Sequence, residues 1–349
     1  MAPAGKEKPE FMEKVVYANL GRPSRKVVIG PGWGLDNGVV SVGPGRVMVV
    51  TVDPVSVIPA FGLELSAWAS VHLIASDYTS SGSRPQFATF SYNFPPSMRE
   101  SEKRKYIAAM GRECDRLGVS IVGGHTGTYP GGGNTIVGTG SMMGFCDEDE
   151  FVSPRMAREG DSILLTKHAA IEATASLALC FRSYAEKKIG SRMAKKARNM
   201  IRLASTVNDA LLASKVGLRS DGVTSMHDAT EGGVLGGLDE MARASNHRFE
   251  VDLERIAVSA EARAVCGAFG IDPLISLSEG ALILTCKPGA TGRLHRRFEN
   301  SGIDIQKIGS VSRGSGLWLS RREGVPLRFR PGPDPYWQAY ERSQALGLA

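Results

Sequence analysis

The chain has 349 residues, 42% hydrophobic and 22% charged, which excludes a disordered or fibrous protein and leaves room for two domains of ordinary size. Lysine and arginine (42) exceed aspartate and glutamate (36), a formal charge of +6 that suits a phosphorylated small molecule as well as nucleic acid. No basic block is interleaved with aromatics, and no run approaches the ~18 apolar residues of a membrane span, so neither nucleic acid nor a membrane is the expected partner.

The start, MAPAGKEKPE, is charged and lacks the apolar core of a signal peptide, which predicts a cytoplasmic protein. The five cysteines are widely spaced and never form a C-x-x-C pair, unlike a disulfide framework or a zinc knuckle. The 41 glycines cluster between apolar runs without a period, where they serve tight turns or close approach to a ligand.

Residues 1–29 read as a polar arm. Strand-like runs at 39–42 and 46–52 flank the turn signal Gly43-Pro44-Gly45. A helix is expected over 64–76, a strand over 85–94 and a helix over 99–117, closed by Gly118. Strands at 119–122 and 135–143 complete a first α/β unit spanning 30–152. A second unit, 158–335, opens with the strand DSILLTK. Helices over 169–185 and 193–213 follow, then the strand GVTSMHD and a helix over 232–244. Strands at 281–286 and 303–312 enclose a helix at 290–300, and the Pro- and Arg-rich segment from 321, with a tail at 336–349, carries weak element signals. The predicted class is α/β with an α+β-like division into two domains.

Four polar clusters fall beside apolar elements, where α/β proteins bind ligands. Gly30-Pro31-Gly32-Trp33-Gly34 can wrap backbone N–H groups around phosphate, and Asp36 beside it suits magnesium, which favours carboxylate oxygens. An ordinary glycine-rich loop is the alternative. Asp53 ends the run VMVVTVD and Asp77 ends the first long helix. Either is a cap or turn residue taken singly, but with Asp36 they supply three carboxylates to one ion. Gly123-Gly124-His125-Thr126 closes a strand and adds a titratable ring and a hydroxyl. His72, within an apolar helical run, reads as structural. In His227-Asp228-Ala229-Thr230-Glu231-Gly232-Gly233, Thr230 is the expected N-cap, and the N–H groups of Gly232 and Gly233 are open to a phosphate. Lys167 ends a strand where a phosphate or carboxylate fits, with Glu172 to orient it.

In this order, over about residues 30–320, these clusters resemble the aminoimidazole ribonucleotide synthetase superfamily, which includes hydrogenase-maturation carbamoyl dehydratase, selenophosphate synthetase and thiamine-monophosphate kinase. MHDATEGGV is similar to the dehydratase's H-D-P-T-E-G-G-V, IVGGHTGTYPG to the superfamily's G-G-D/E/H-T stretch, and TVDP and IASDYTSSGSRP to its T-x-D and N-D-x-x-x-x-G-x-x-P segments. The resemblance implies an enzyme that binds ATP with Mg2+ and a small-molecule substrate. It implies a homodimer joined through the N-terminal sheets, with ATP in a cleft between subunits, and admits a hydrogenase-maturation protein as a further partner. Asp36, Asp53, Asp77 and Asp228 are implied magnesium ligands. Gly30, Gly32 and Gly34 with Gly123, Gly124, Thr126, Thr230, Glu231 and Gly232 are implied nucleotide contacts. Asp77, His125, Lys167 and Asp228 are implied catalytic residues.

The chain departs from its relatives at three places. Ser76 precedes Asp77 where the family has asparagine, and His125 stands where many relatives are acidic. The chain ends RSQALGLA with no cysteine after Cys286, where the dehydratase has P-R-x-C. The expected chemistry is therefore γ-phosphate activation of an amide-type oxygen, as in the synthetase. The alternatives are a dehydratase homologue, a small-molecule kinase or a non-catalytic nucleotide-binding assembly partner.

Overall fold

The computed structural model describes residues 5–130, 135–321 and 325–348. The first sheet contains β1 (Val27–Ile29), β2 (Gly38–Gly43), β3 (Arg46–Ser56), β4 (Phe87–Phe94), β5 (Ser120–Thr128) and β6 (Ile136–Asp147) in the order β1-β2-β3-β6-β4-β5. All neighbours are antiparallel except β4 and β5. Helices α1 (Gly62–Thr79) and α2 (Glu100–Leu117) close one face. Alternation decides which side chains they cover: Val47, Val49 and Val55 of β3 join Phe90, Tyr92, Val137 and Met142 in the core with Val71, Ile74 and Tyr78 of α1. On the other face Val50, Met143 and Phe87 lie in register across three strands and are only half-buried, and Val52 is 63% exposed. That apolar face has no cover within the chain among the described residues.

The second sheet contains β7 (Ser162–Thr166), β8 (Val223–Asp228), β9 (Arg248–Asp252), β10 (Leu282–Cys286), β11 (Ile305–Ser312), β12 (Gly316–Ser320) and β13 (Leu327–Arg328), ordered β13-β12-β9-β11-β7-β10-β8. Its helices are α3 (Ile171–Cys180), α4 (Arg182–Ile189), α5 (Ser191–Asn199), α6 (Val207–Ser214), α7 (Gly233–Ser245), α8 (Ala260–Phe269), α9 (Thr291–Glu299) and α10 (Pro335–Ala345). The strands SILLT and LILTC are buried at every position because both faces are covered. Ile163, Leu165 and Ile283 pack with Leu235, Leu238 and Met241 of α7, while Leu164, Leu282 and Leu284 pack with Leu294 and Phe298 of α9. Helices α3, α4, α5, α8 and α10 share a separate core through Leu177, Phe181, Phe269 and Tyr336.

The fold has the predicted class, and most expected elements are present with shifted ends. The two long helices expected over 169–185 and 193–213 each divide. The first breaks at Phe181 (φ −122°, ψ 52°). The second unwinds through 204–206 because that stretch is tied to α1: Ser76 Oγ accepts from Thr206 N–H at 3.0 Å, and His72 Nδ1 meets Ser205 Oγ at 2.9 Å. β9, β12 and α8 were not anticipated, nor was α10 in the weakly signalled C-terminal stretch. Pro335 sits at the first helical position, where its missing N–H costs nothing, and Asp334 accepts from Tyr336 N–H at 2.8 Å as the N-cap. No helix among the described residues is long and apolar enough to cross a membrane.

Candidate carboxylate cleft

The seam between the two sheets gathers acidic residues from six segments. Asp36 follows the glycine-rich loop, Asp53 lies in β3, Asp77 in the last turn of α1 and Asp228 at the end of β8. Glu279 precedes β10, and Glu172 is in the first turn of α3. Their positions are fixed by neutral groups. Thr51 Oγ donates to Asp36 O at 2.8 Å. Asn37 Nδ2 donates to Asp77 O at 2.8 Å and to Ser80 Oγ at 2.9 Å, and Ser80 Oγ lies 3.0 Å from Asp36 Oδ2.

These carboxyls raise one another's pKa. Burial and then the Asp36 charge hold Asp228 up at about 7. Burial and then Glu231 do the same to Asp53, and burial with Glu231, Asp334 and Asp53 lifts Glu172 to about 8. Asp77 and Glu279 are pushed well above the carboxylate range by burial and then by Asp228. Asp228 is fully buried, and neither of its carboxylate oxygens meets a donor from another residue; Glu279 Oε1 is likewise unpartnered. Orphaned acceptors of this kind are costly in a protein interior. Oxygen donors short of positive charge are what a hard divalent cation requires. Asp36 and Asp228 bring theirs within 4.8 Å of one another, with Asp53 and Asp77 in the same electrostatic field, so these four are the residues that could hold magnesium.

His227 belongs to this centre in another role. Asp36, His227 and Asp228 place potential ligand atoms within 4.8 Å of one another, but both ring nitrogens of His227 are taken, Nδ1 by Asp36 at 2.8 Å and Nε2 by Glu240 at 2.9 Å. Burial alone would lower its pKa, but those two carboxylates outweigh it and raise the ring to about 10. Burial likewise favours neutral Glu240, yet Lys6 and His227 bring it down to about 2. His227 is thus a buried imidazolium that orients Asp36.

Several predicted placements change. Asp53 does not end its strand: β3 continues through Pro54 to Ser56, beyond the last β2 pairing at Val50, so the missing proline N–H leaves no ladder bond unmade on that side. Asp77 lies inside α1 rather than after it. Gly123-Gly124-His125-Thr126 is not a turn closing a buried strand but the middle of β5, an exposed edge. Gly124 is demanded there by β4, since a Cβ would stand 2.2 Å from Phe90 O. His125 bonds Tyr129 Oη at 2.6 Å and aligns through Ser91 and Thr139 with Pro54, three strands and roughly 14 Å away.

Thr230 does not cap α7. The N-cap is Gly232 (φ 78°), whose N–H is taken by Asp334 at 2.8 Å rather than left for phosphate. Lys167 is consumed as well: its ammonium donates to Ser205 O at 2.8 Å and Gly280 O at 2.7 Å and pairs with Asp209 at 3.0 Å, holding the residue at φ 53°. Asp209 therefore fills the place expected of Glu172, which faces the acidic cleft instead. Glu279, Glu240 and Lys6 were missed. An acid inside the apolar run LISLSEGALIL was a legible signal for Glu279, whereas nothing local marked the other two.

Together these features define an α/β protein of two sheet-and-helix units with a cation-seeking carboxylate cleft at their seam. The AIR synthase related protein family matches with its N-terminal domain over residues 34–146 and its C-terminal domain over 158–319. The chain belongs to that family. It is 26% identical to the carbamoyl dehydratase HypE of Bradyrhizobium diazoefficiens over 80% of this chain and 78% of that one. It is 23% identical to the thiamine-monophosphate kinase of Nitrosopumilus maritimus over 79% and 84% of the two chains. A crystal structure of the hydrogenase maturation protein HypE in complex with ATP shares the fold, with TM-score 0.68, 19% identity and coverage of 94% and 96%.

Two predictions follow from this geometry. Carboxyls whose folded pKa is raised take up protons on folding, so the metal-free protein loses stability as pH climbs from the ordinary carboxylate value of 3.8 through about 7. His227 continues the fall from 6.5 toward about 10. Metal-free thermal melts will therefore be lower at pH 8 than at pH 5.5, and magnesium will raise the pH 8 melt more than the pH 5.5 melt. Lys167→Met, which leaves Asp209 buried without its partner, will cost about 3–5 kcal/mol in urea unfolding; a lysine reserved for phosphate would cost the metal-free protein almost nothing.

Proposed function

We propose that the protein is a magnesium-dependent, ATP-using enzyme that directs the γ-phosphate to an amide-type oxygen of a small diffusible substrate. The observation that carries this reading is Asp228, fully buried with both oxygens unpartnered beside Asp36 and in the electrostatic field it shares with Asp53 and Asp77. Bound magnesium would neutralise phosphate oxygens and so favour attack at the γ-phosphorus. The chain's own residues orient and fill: His227 fixes Asp36, Asn37 and Ser80 fix the end of α1, and the packed seam keeps water from the buried oxygens. The acceptor oxygen forms a bond to the γ-phosphorus as the bond to ADP breaks. A second nucleophile at the activated carbon then expels that oxygen as phosphate.

A diffusible acceptor is favoured over a protein-borne thiol because none of the five cysteines is exposed. Cys286 is fully buried in β10, and burial pushes its thiol up to about 11; a nucleophilic carrier has to be an accessible thiolate. The half-buried apolar face of the first sheet, with Val52 at its centre and Ile121 and Val122 exposed on the edge strand β5, supports a homodimer formed through that sheet.

Asp228→Asn will weaken magnesium–ATP binding at least tenfold more than binding of metal-free ATP in calorimetry. Equal loss of both would assign Asp228 to packing and sink the reading, as would absence of phosphate release with every amide or ribonucleotide acceptor. In sedimentation, the wild-type chain will run as a dimer and Val52→Lys as a monomer; a monomeric wild type rejects the dimer.

A further inference from the structure

The N-terminal arm reaches into the same cleft from outside the segments that carry the aspartates. Lys6 Nζ lies 2.6 Å from Glu240 Oε1 and 4.9 Å from the centre of the Trp33 ring, and its backbone N–H is donated to Glu231. Gly5 beside it (φ 115°) has no room for a side chain: a Cβ would meet Glu231 Oε2 at 2.8 Å and Trp337 Nε1 at 2.9 Å.

Trp33 belongs to the glycine-rich loop, and that loop is pressed onto α7 at the same residue. A Cβ on Gly34 (φ 72°) would stand 2.6 Å from Glu240 Cβ and 2.9 Å from Glu240 O. Lys6 is therefore clamped between the loop and α7. By contrast, the hydrogen bonds that residues 9–24 make among the described residues stay within the arm, and Val15, Val16 and Leu20 are exposed. The arm is held to the cleft chiefly at Gly5 and Lys6.

We propose that Lys6 fastens the N-terminal arm and the glycine-rich loop shut over the carboxylate cleft, and that loading the cleft with a divalent cation releases them. The physical basis is competition for one negative field. The ammonium is the cation that Glu240, Asp36 and Glu231 attract in the metal-free protein, and Asp53 feels it too. A divalent ion entering among Asp36, Asp53, Asp77 and Asp228 cancels that field and repels the ammonium. With Lys6 detached, Trp33 loses its cation and the loop can lift from α7 to admit a nucleotide. The fastening is a property of the metal-free chain; only the choice of releasing ion rests on the magnesium–ATP reading.

Hydrogen exchange read by mass spectrometry on the full chain tests this. In the metal-free wild type, peptides over 5–22 and 30–36 will exchange slowly. Lys6→Gln will speed both about tenfold, the scale of a hydrogen bond to a charged group, while peptides of β7 and β10 stay unchanged. Lys6→Arg, which keeps the charge, will hold both protected. Magnesium chloride alone will bring wild-type exchange to the Lys6→Gln rate, and Lys6→Gln will bind magnesium several-fold more tightly in calorimetry. Equal arm exchange in wild type and Lys6→Gln overturns the fastener, and arm protection that magnesium leaves unchanged overturns the release. Fastening and release without any ATP binding would support this inference while rejecting the nucleotide reading. Tight magnesium–ATP binding beneath a still-protected arm would do the reverse.

Discussion

A single ionic chain, Asp36–His227–Glu240–Lys6, holds together the parts of the molecule that carry chemistry. It joins the segment after the glycine-rich loop, the central sheet of the second unit, helix α7 and the N-terminal arm. His227 is its keystone because it is fully enclosed and donates from both nitrogens. A buried pair of this kind adds little over well-packed apolar residues, but removing one member leaves an uncompensated charge at a cost of about 3–5 kcal/mol. Its value is geometric: with the ring locked, Asp36 faces the other aspartates in one orientation.

Around that chain the cleft carries more carboxyls than cations. Asp53, Asp77, Asp228, Glu172 and Glu279 all have their acid forms favoured by burial and by neighbouring carboxylates. Such an arrangement is unfavourable in a metal-free fold and persists because the surrounding strands and helices are packed on apolar cores that do not depend on it. β7 and β10, covered on both faces, anchor the second unit, and α1 against β3 and β6 anchors the first. The instability is confined to the seam, where a cation can relieve it. Lys167 shows the opposite solution, a cation whose donors are all consumed by Asp209 and backbone carbonyls.

Much of this was legible from residue pattern. Apolar runs such as ILL in DSILLTK and ALIL before Thr285 marked strands of the second unit, and the run VMVV marked a strand of the first. Asp53, Asp77 and Asp228 stood out because each ends such a run or helix, and Asp36 because it follows the glycine-rich loop. Errors arose where tertiary contacts overrode local signals. The pull of Ser76 on Thr206 divided a helical run, the capped Pro335 began a helix in a stretch of weak element signals, and close approach of β4 accounts for Gly124.

By itself the chain's sequence determined the class of fold and the order of the main elements, because periodicity is a property of neighbouring residues, and its resemblance to a family singled out the four aspartates. The tertiary structure alone decided which charges meet. Glu240 lies on an ordinary helix and Lys6 in an arm with no distinguishing pattern, 234 positions apart, yet they stand 2.6 Å from each other. Asp36 and His227, 191 positions apart, form the central pair. Whether a lysine is a free cation or a staple, and whether a carboxyl is paired or orphaned, depends on groups brought together by packing, and packing is the sum of contacts that no local window contains.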